Sequence, residues 1–166
     1  TVSKYLNMFL LLLIVAALTL FVDYFIKIII RKISSRIASG TKTKFDDILI
    51  KNKLPTNVAH VPAILLFHYY IPFIFTDFPI VENLLIKAVE VIGIVLILYI
   101  VRSILNSIKD YLKTKPQYRD KPIDSYIQVF MIFAWFAGFF LAFSVLTGIE
   151  MWKFFTALGT VSAVII

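Results

Sequence analysis

An apolar run of about 20 residues has few ways to fold. In a bilayer it crosses as a helix, because lipid leaves no water to satisfy its backbone. This chain holds four such runs, at 5–30, 58–75, 80–101 and 123–149, and begins a fifth at Met151 that is still apolar at Ile166. The first is too long for a signal-peptide core and has no small-residue cleavage site after it. The second contains Pro62 and Pro72, which a spanning helix tolerates near its ends or as a kink. The last run has no cap, closing glycine or basic last turn, so the expectation is a helix cut off in mid-run.

Composition agrees. Sixty per cent of the 166 residues are hydrophobic, 16% are charged, and the mean hydropathy is +0.90. A soluble domain carries about a quarter charged residues. The expected fold class is therefore an all-α membrane protein of five transmembrane helices, the fifth truncated. Residues 1–149 form the lipid-facing part and 150–166 the start of a last helix. The absence of cysteine excludes disulfides, thiolate metal sites and iron–sulfur clusters.

The net charge of +7 is explained by where it lies. Thirteen of the 17 lysines and arginines fall at 31–53 and 102–122. The turns near 76–82 and 148–151 carry Asp77, Glu82 and Glu150 instead. By the positive-inside rule the two basic loops are cytoplasmic, the N-terminus is outside, and the C-terminal end points into the cytoplasm. No nucleic-acid partner is needed to account for the charge.

Within 40–53, Phe45, Ile48 and Leu49 fall on one helical stripe, and Asp47 and Lys51 are spaced for an i, i+4 pair. Two placements suit this segment: an amphipathic helix on the cytoplasmic membrane surface, or a solvated helix packed on a partner domain. The other loop, "KTKPQYRDKPID", reads as an ordered turn with Pro122 in the first turn of the next helix.

Charges inside the spans are functional candidates by default. Asp23 and Lys27 are spaced i, i+4 and read chiefly as a structural ion pair. Lys87 and Glu90 are spaced for an i, i+3 pair. His60 and His68 share one span, about 80° apart around it. That does not suit haem held across a bundle; imidazoles at an interface or between helices are the expectation. No serine–histidine–carboxylate cluster and no glycine-rich phosphate loop stands out. Neither catalysis, nor a metal, nor a cofactor is expected. Arg31, Lys32, Arg102 and Lys109 lie where basic side chains meet anionic lipid headgroups. Trp152 and Lys153 suit the opposite interface.

The final run is studded with small residues. Gly159 and Ala163, like Thr156 and Thr160, are i, i+4, and Gly159 and Ser162 are i, i+3. Such faces let helices approach closely in lipid. One such face suits a dimer, and two adjoining faces suit a ring around a pore; simple packing into the chain's own bundle is the other reading.

"KTKFDDILI" after the first span and "SVLTGIEMWKFFTALGTVSAVII" at the end resemble the small-conductance mechanosensitive channel (MscS-like) family. The five-span layout is similar to its miniconductance (YbdG-like) branch. The resemblance implies a homoheptamer in a bacterial inner membrane and a cytoplasmic vestibule domain after residue 166. It implies a pore lined by Thr156, Thr160 and Ala163, with Gly159 and Ser162 at the contacts between neighbouring helices. The implied activity is a tension-opened release of ions and small solutes on hypo-osmotic shock, with lipids and permeating ions as the other partners. Ala163 departs from the bulky apolar ring common at that position in the family. The rival readings are a secondary transporter or lipid flippase, and a non-conducting membrane scaffold.

Overall fold

The computed structural model describes residues 2–40 and 45–150, and beyond them Trp152, Lys153, Thr156 and Thr160. Five α-helices follow in order: α1 (Val2–Gly40), α2 (Phe45–Lys51), α3 (Leu54–Phe75), α4 (Pro79–Lys113) and α5 (Ile123–Thr147), with a 3-10 turn at Pro116–Tyr118. No strand occurs among the described residues. Four helical segments, Ser3–Ile30, Leu54–Phe75, Pro79–Lys113 and Ile123–Thr147, are long and apolar enough to cross a membrane. The remaining run, 151–166, lies largely outside the described residues; Trp152, Lys153, Thr156 and Thr160 within it are helical.

Local chemistry sets the boundaries. Pro55 and Pro79 enter α3 and α4 in the first turn, where a missing N–H costs nothing. Pro62 and Pro72 sit inside α3, which continues through both. Gly148 stops α5 in the left-handed region, φ 72°, with its N–H donating to the Ser144 carbonyl at 2.8 Å. The helix therefore ends at Thr147 rather than at 149. Pro122 takes the N-cap position of α5 rather than its first turn.

Two elements run longer than their apolar cores. α1 continues past residue 30 to Gly40, and α4 continues past 101 to Lys113. At 1.5 Å per residue α4 is about 52 Å long. Half of the second basic loop is thus helix. α2 is shorter than 40–53, because Lys53 turns the chain at φ 58°.

Each long helix packs on the next: α1 on α3, α3 on α4, α4 on α5. Among the described residues α1 does not approach α5, and α3 does not approach α5. The result is an open row of antiparallel helices, not a closed bundle. Its core is small. Val15, Ile71, Ile74, Phe75 and Val89 form one buried cluster near the α3–α4 turn. Ala59 and Ala63 keep α3 close to its neighbours, and a Cβ on Gly138 of α5 would stand 2.6 Å from Leu98 Cδ1 of α4. Most large apolar side chains face outward, such as Leu20, Phe133 and Ile80 at 71%, 70% and 85% exposure. A surface of that kind needs lipid or other protein against it.

The two ends of the row differ. At one end Lys4 pairs with Asp77 at 3.0 Å, and Lys87 donates to the Leu146 carbonyl at 3.0 Å. At the other, α2 docks on α4: Ile48 is buried, Phe45 meets Tyr111 edge-on at 5.3 Å, and Lys51 pairs with Asp110 at 3.0 Å. Lys51 is drawn to Asp110, not to Asp47. The α2 stripe packs against its own chain.

Candidate functional site

Three places on the row carry polar groups in an apolar setting. The first is a crevice of about 530 Å³ between α1 and α4, with α3 as its floor. Its walls include Thr19, Leu20, Ile64, Phe67, Val89 and Tyr99, and Asp23 and His60 meet at its edge. The spacing of Asp23 and Lys27 gives the expected ion pair, Nζ to Oδ2 at 2.6 Å. The other carboxylate oxygen, Oδ1, is buried and has no aligned hydrogen bond. His60 Nδ1 stands 2.8 Å from it.

Towards the opposite end of α3, His68 Nε2 lies 3.5 Å from Glu90 Oε1 of α4. Glu90 therefore faces α3, and Lys87 faces α5, so the i, i+3 pair between them does not form. Both imidazoles lie between helices, as their shared span suggested. Their partners were not legible, because sequence spacing reports on one helix and these contacts cross between two.

The second place is a pocket of about 490 Å³ between α4 and α5, lined by Arg102, Asn106, Lys109, Gln128 and Trp135 among others. Of the two cations expected here, Lys109 is engaged with Asp124 at 3.1 Å, and Lys113 bonds the same carboxylate. Arg102 has no ion pair or side-chain hydrogen bond among the described residues, and it is exposed. An unpaired guanidinium beside apolar walls and a tryptophan can take a planar, bidentate oxyanion. Arg31 is helical, and Lys32 is helical and exposed.

The third place is the segment after α5. Trp152 and Lys153 are exposed, and Lys153 pairs with Glu150 at 3.4 Å. Thr156 Oγ1 donates to the Trp152 carbonyl at 3.1 Å and Thr160 Oγ1 to the Thr156 carbonyl at 3.0 Å. The two threonines thus stand one turn apart on a shared face and are exposed. Gly159, Ser162 and Ala163 lie outside the described residues. Among the described residues no group of three or more histidines and carboxylates could hold a metal ion.

Neither a protein-family model, nor a curated protein, nor a solved structure matches this chain.

Proposed function

We propose that the chain is the membrane-embedded part of an oligomeric ion channel opened by membrane tension. The observation that carries this reading is the open row: among the described residues the spanning helices pack only on their neighbours in the row, with a small core and wide apolar faces. Such a paddle encloses no path of its own, so a conducting path has to form between copies. Tension favours whichever state occupies more in-plane area, and a row that can tilt in lipid offers such states. The threonine face at Thr156 and Thr160 would line the path, with Ala163 one turn further. Gly159 and Ser162 would pack copy against copy. An apolar stretch of that path would hold it shut by dewetting.

The same reading includes a homoheptamer in a bacterial inner membrane, the N-terminus outside, and a cytoplasmic vestibule after residue 166. At the cytoplasmic side, Arg102 would hold a lipid phosphate, with acyl chains along Ile132 and Trp135. Trp152 and Lys153 would anchor the outer end of the pore helix.

A secondary transporter is the alternative, favoured by the ionisable groups at the α1–α3–α4 crevice. Transporters of that kind use helices broken at the midplane; α3 runs unbroken through both prolines. Recording from membrane patches under graded suction separates the readings. Stretch-activated current supports the channel, and its absence favours the transporter.

A further inference from the structure

We propose that the crevice between α1, α3 and α4 binds a single-chain, uncharged amphiphile with a hydroxyl head, of the class of monoacylglycerols and long-chain alcohols. Its volume of about 530 Å³ falls within the range of small-molecule sites, roughly 300–1,000 Å³. Ile64, Phe67, Val89 and Leu96 make its walls apolar along most of their length. Thr19, also in the wall, has its hydroxyl engaged: Oγ1 donates to the Val15 carbonyl at 2.8 Å.

The polar groups gather at one end. Asp23 and Tyr99 each stand about 30 Å along their helices from the end closed by the Lys4–Asp77 pair, and His60 stands about 22 Å from it. The hydrocarbon core of a bilayer is about 30 Å thick. The three therefore lie towards its boundary on the side of the basic segments. Lys27 and Arg31 follow at the next two turns of α1. From Tyr99 the α4 wall runs back to Val89, about 15 Å towards the middle of the membrane. A slot that is polar at the boundary and apolar inward fits a molecule that enters tail first. An extended dodecyl chain is of that length.

Hydrogen bonding selects the head. Lys27 Nζ holds Oδ2 of Asp23 at 2.6 Å. Oδ1 is buried, 2.8 Å from His60 Nδ1, and has no aligned hydrogen bond. A buried acceptor in that state costs free energy until a donor reaches it. With the amine already placed on Oδ2, what stays open is a lone pair, which a neutral hydroxyl fills. An ether or a phosphodiester head brings acceptors only and leaves that oxygen as it was.

The test uses the full-length protein in lipid nanodiscs and dodecanol carrying a diazirine in its tail. After illumination, mass spectrometry should place the label on the crevice stretches of α3 and α4, within 60–67 and 89–99. Unlabelled dodecanol should compete for those positions about five times better than dodecyl methyl ether at equal concentration in the membrane, the scale of one hydrogen bond. Val95→Phe, which fills the slot from its α4 wall, should lose the crevice label and keep any label on outward faces such as that of Phe133. Equal competition by alcohol and ether would overturn the proposal, since an apolar slot alone would explain it. So would stronger competition by dodecylamine, which would make this a site for cations, or label spread evenly over the lipid-facing helices. Should Val95→Phe fail to fold, the comparison of alcohol and ether on the wild type decides alone. None of these readouts depends on current, so the site and the channel are tested separately.

Discussion

Lys51 Nζ lies 3.0 Å from Asp110 Oδ2, and the Asn52 amide donates to the same carboxylate oxygen at 3.2 Å. These contacts bring together two segments 58 and 59 residues apart in sequence. They bring α2 and the C-terminal part of α4, which belong to the two basic segments, together at one end of the helix row. Asp77 and Lys4 close the other end. A charge count alone infers such an arrangement; here a contact between the two loops gives it directly.

Labelling from outside intact cells checks which end faces the cytoplasm. Single cysteines at Lys44 and Lys115 should resist an impermeant thiol reagent, and one at Asp77 should react. Reaction at Lys44 from outside would contradict the orientation.

Legibility followed the range of each signal. Four spanning segments were readable because a long apolar run has few other fates, and the Asp23–Lys27 pair because its partners are one turn apart. The reach of α1 and α4 beyond their apolar cores was not, since 31–40 and 102–113 carry charge and read as loop. α4 is held helical there partly by α2, through Ile48 and the Phe45–Tyr111 contact. The choice of Lys51 for Asp110, Lys87 for the Leu146 carbonyl and Glu90 for His68 depends on how helices are rotated against each other. Spacing within one helix does not encode that rotation.

Close packing at two small residues holds the row together. Ala59 is fully buried on α3, and Gly138 meets the tip of Leu98. Enlarging either side chain overpacks a helix contact, which costs typically 1–3 kcal/mol. Ala59→Leu should cost more than Gly138→Ala, because the Leu98 side chain can swing aside from a single methyl. Phe133→Leu, on an exposed face, serves as the control and should leave the melting temperature in detergent nearly unchanged. Equal melting for Ala59→Leu and the control would mean that α3 is not tightly seated.

Arg102 and Lys109 should behave differently despite sharing a pocket. Lys109 already has Asp124, whereas Arg102 has no ion pair among the described residues. Retention of co-purifying anionic phospholipid, measured by native mass spectrometry, should fall several-fold in Arg102→Ala. Lys109→Ala should change it little. Equal loss in both variants would point to a diffuse basic surface rather than one guanidinium.

The most direct test of a tension-gated channel is current from the full-length protein in excised patches under graded suction, in cells lacking other mechanosensitive channels. Stretch-activated openings are expected, and Ala163→Asp should open at lower tension, because a ring of charges wets an apolar constriction and its members repel. Well-assembled wild-type protein that stays silent up to the tension at which the patch ruptures would contradict the channel reading.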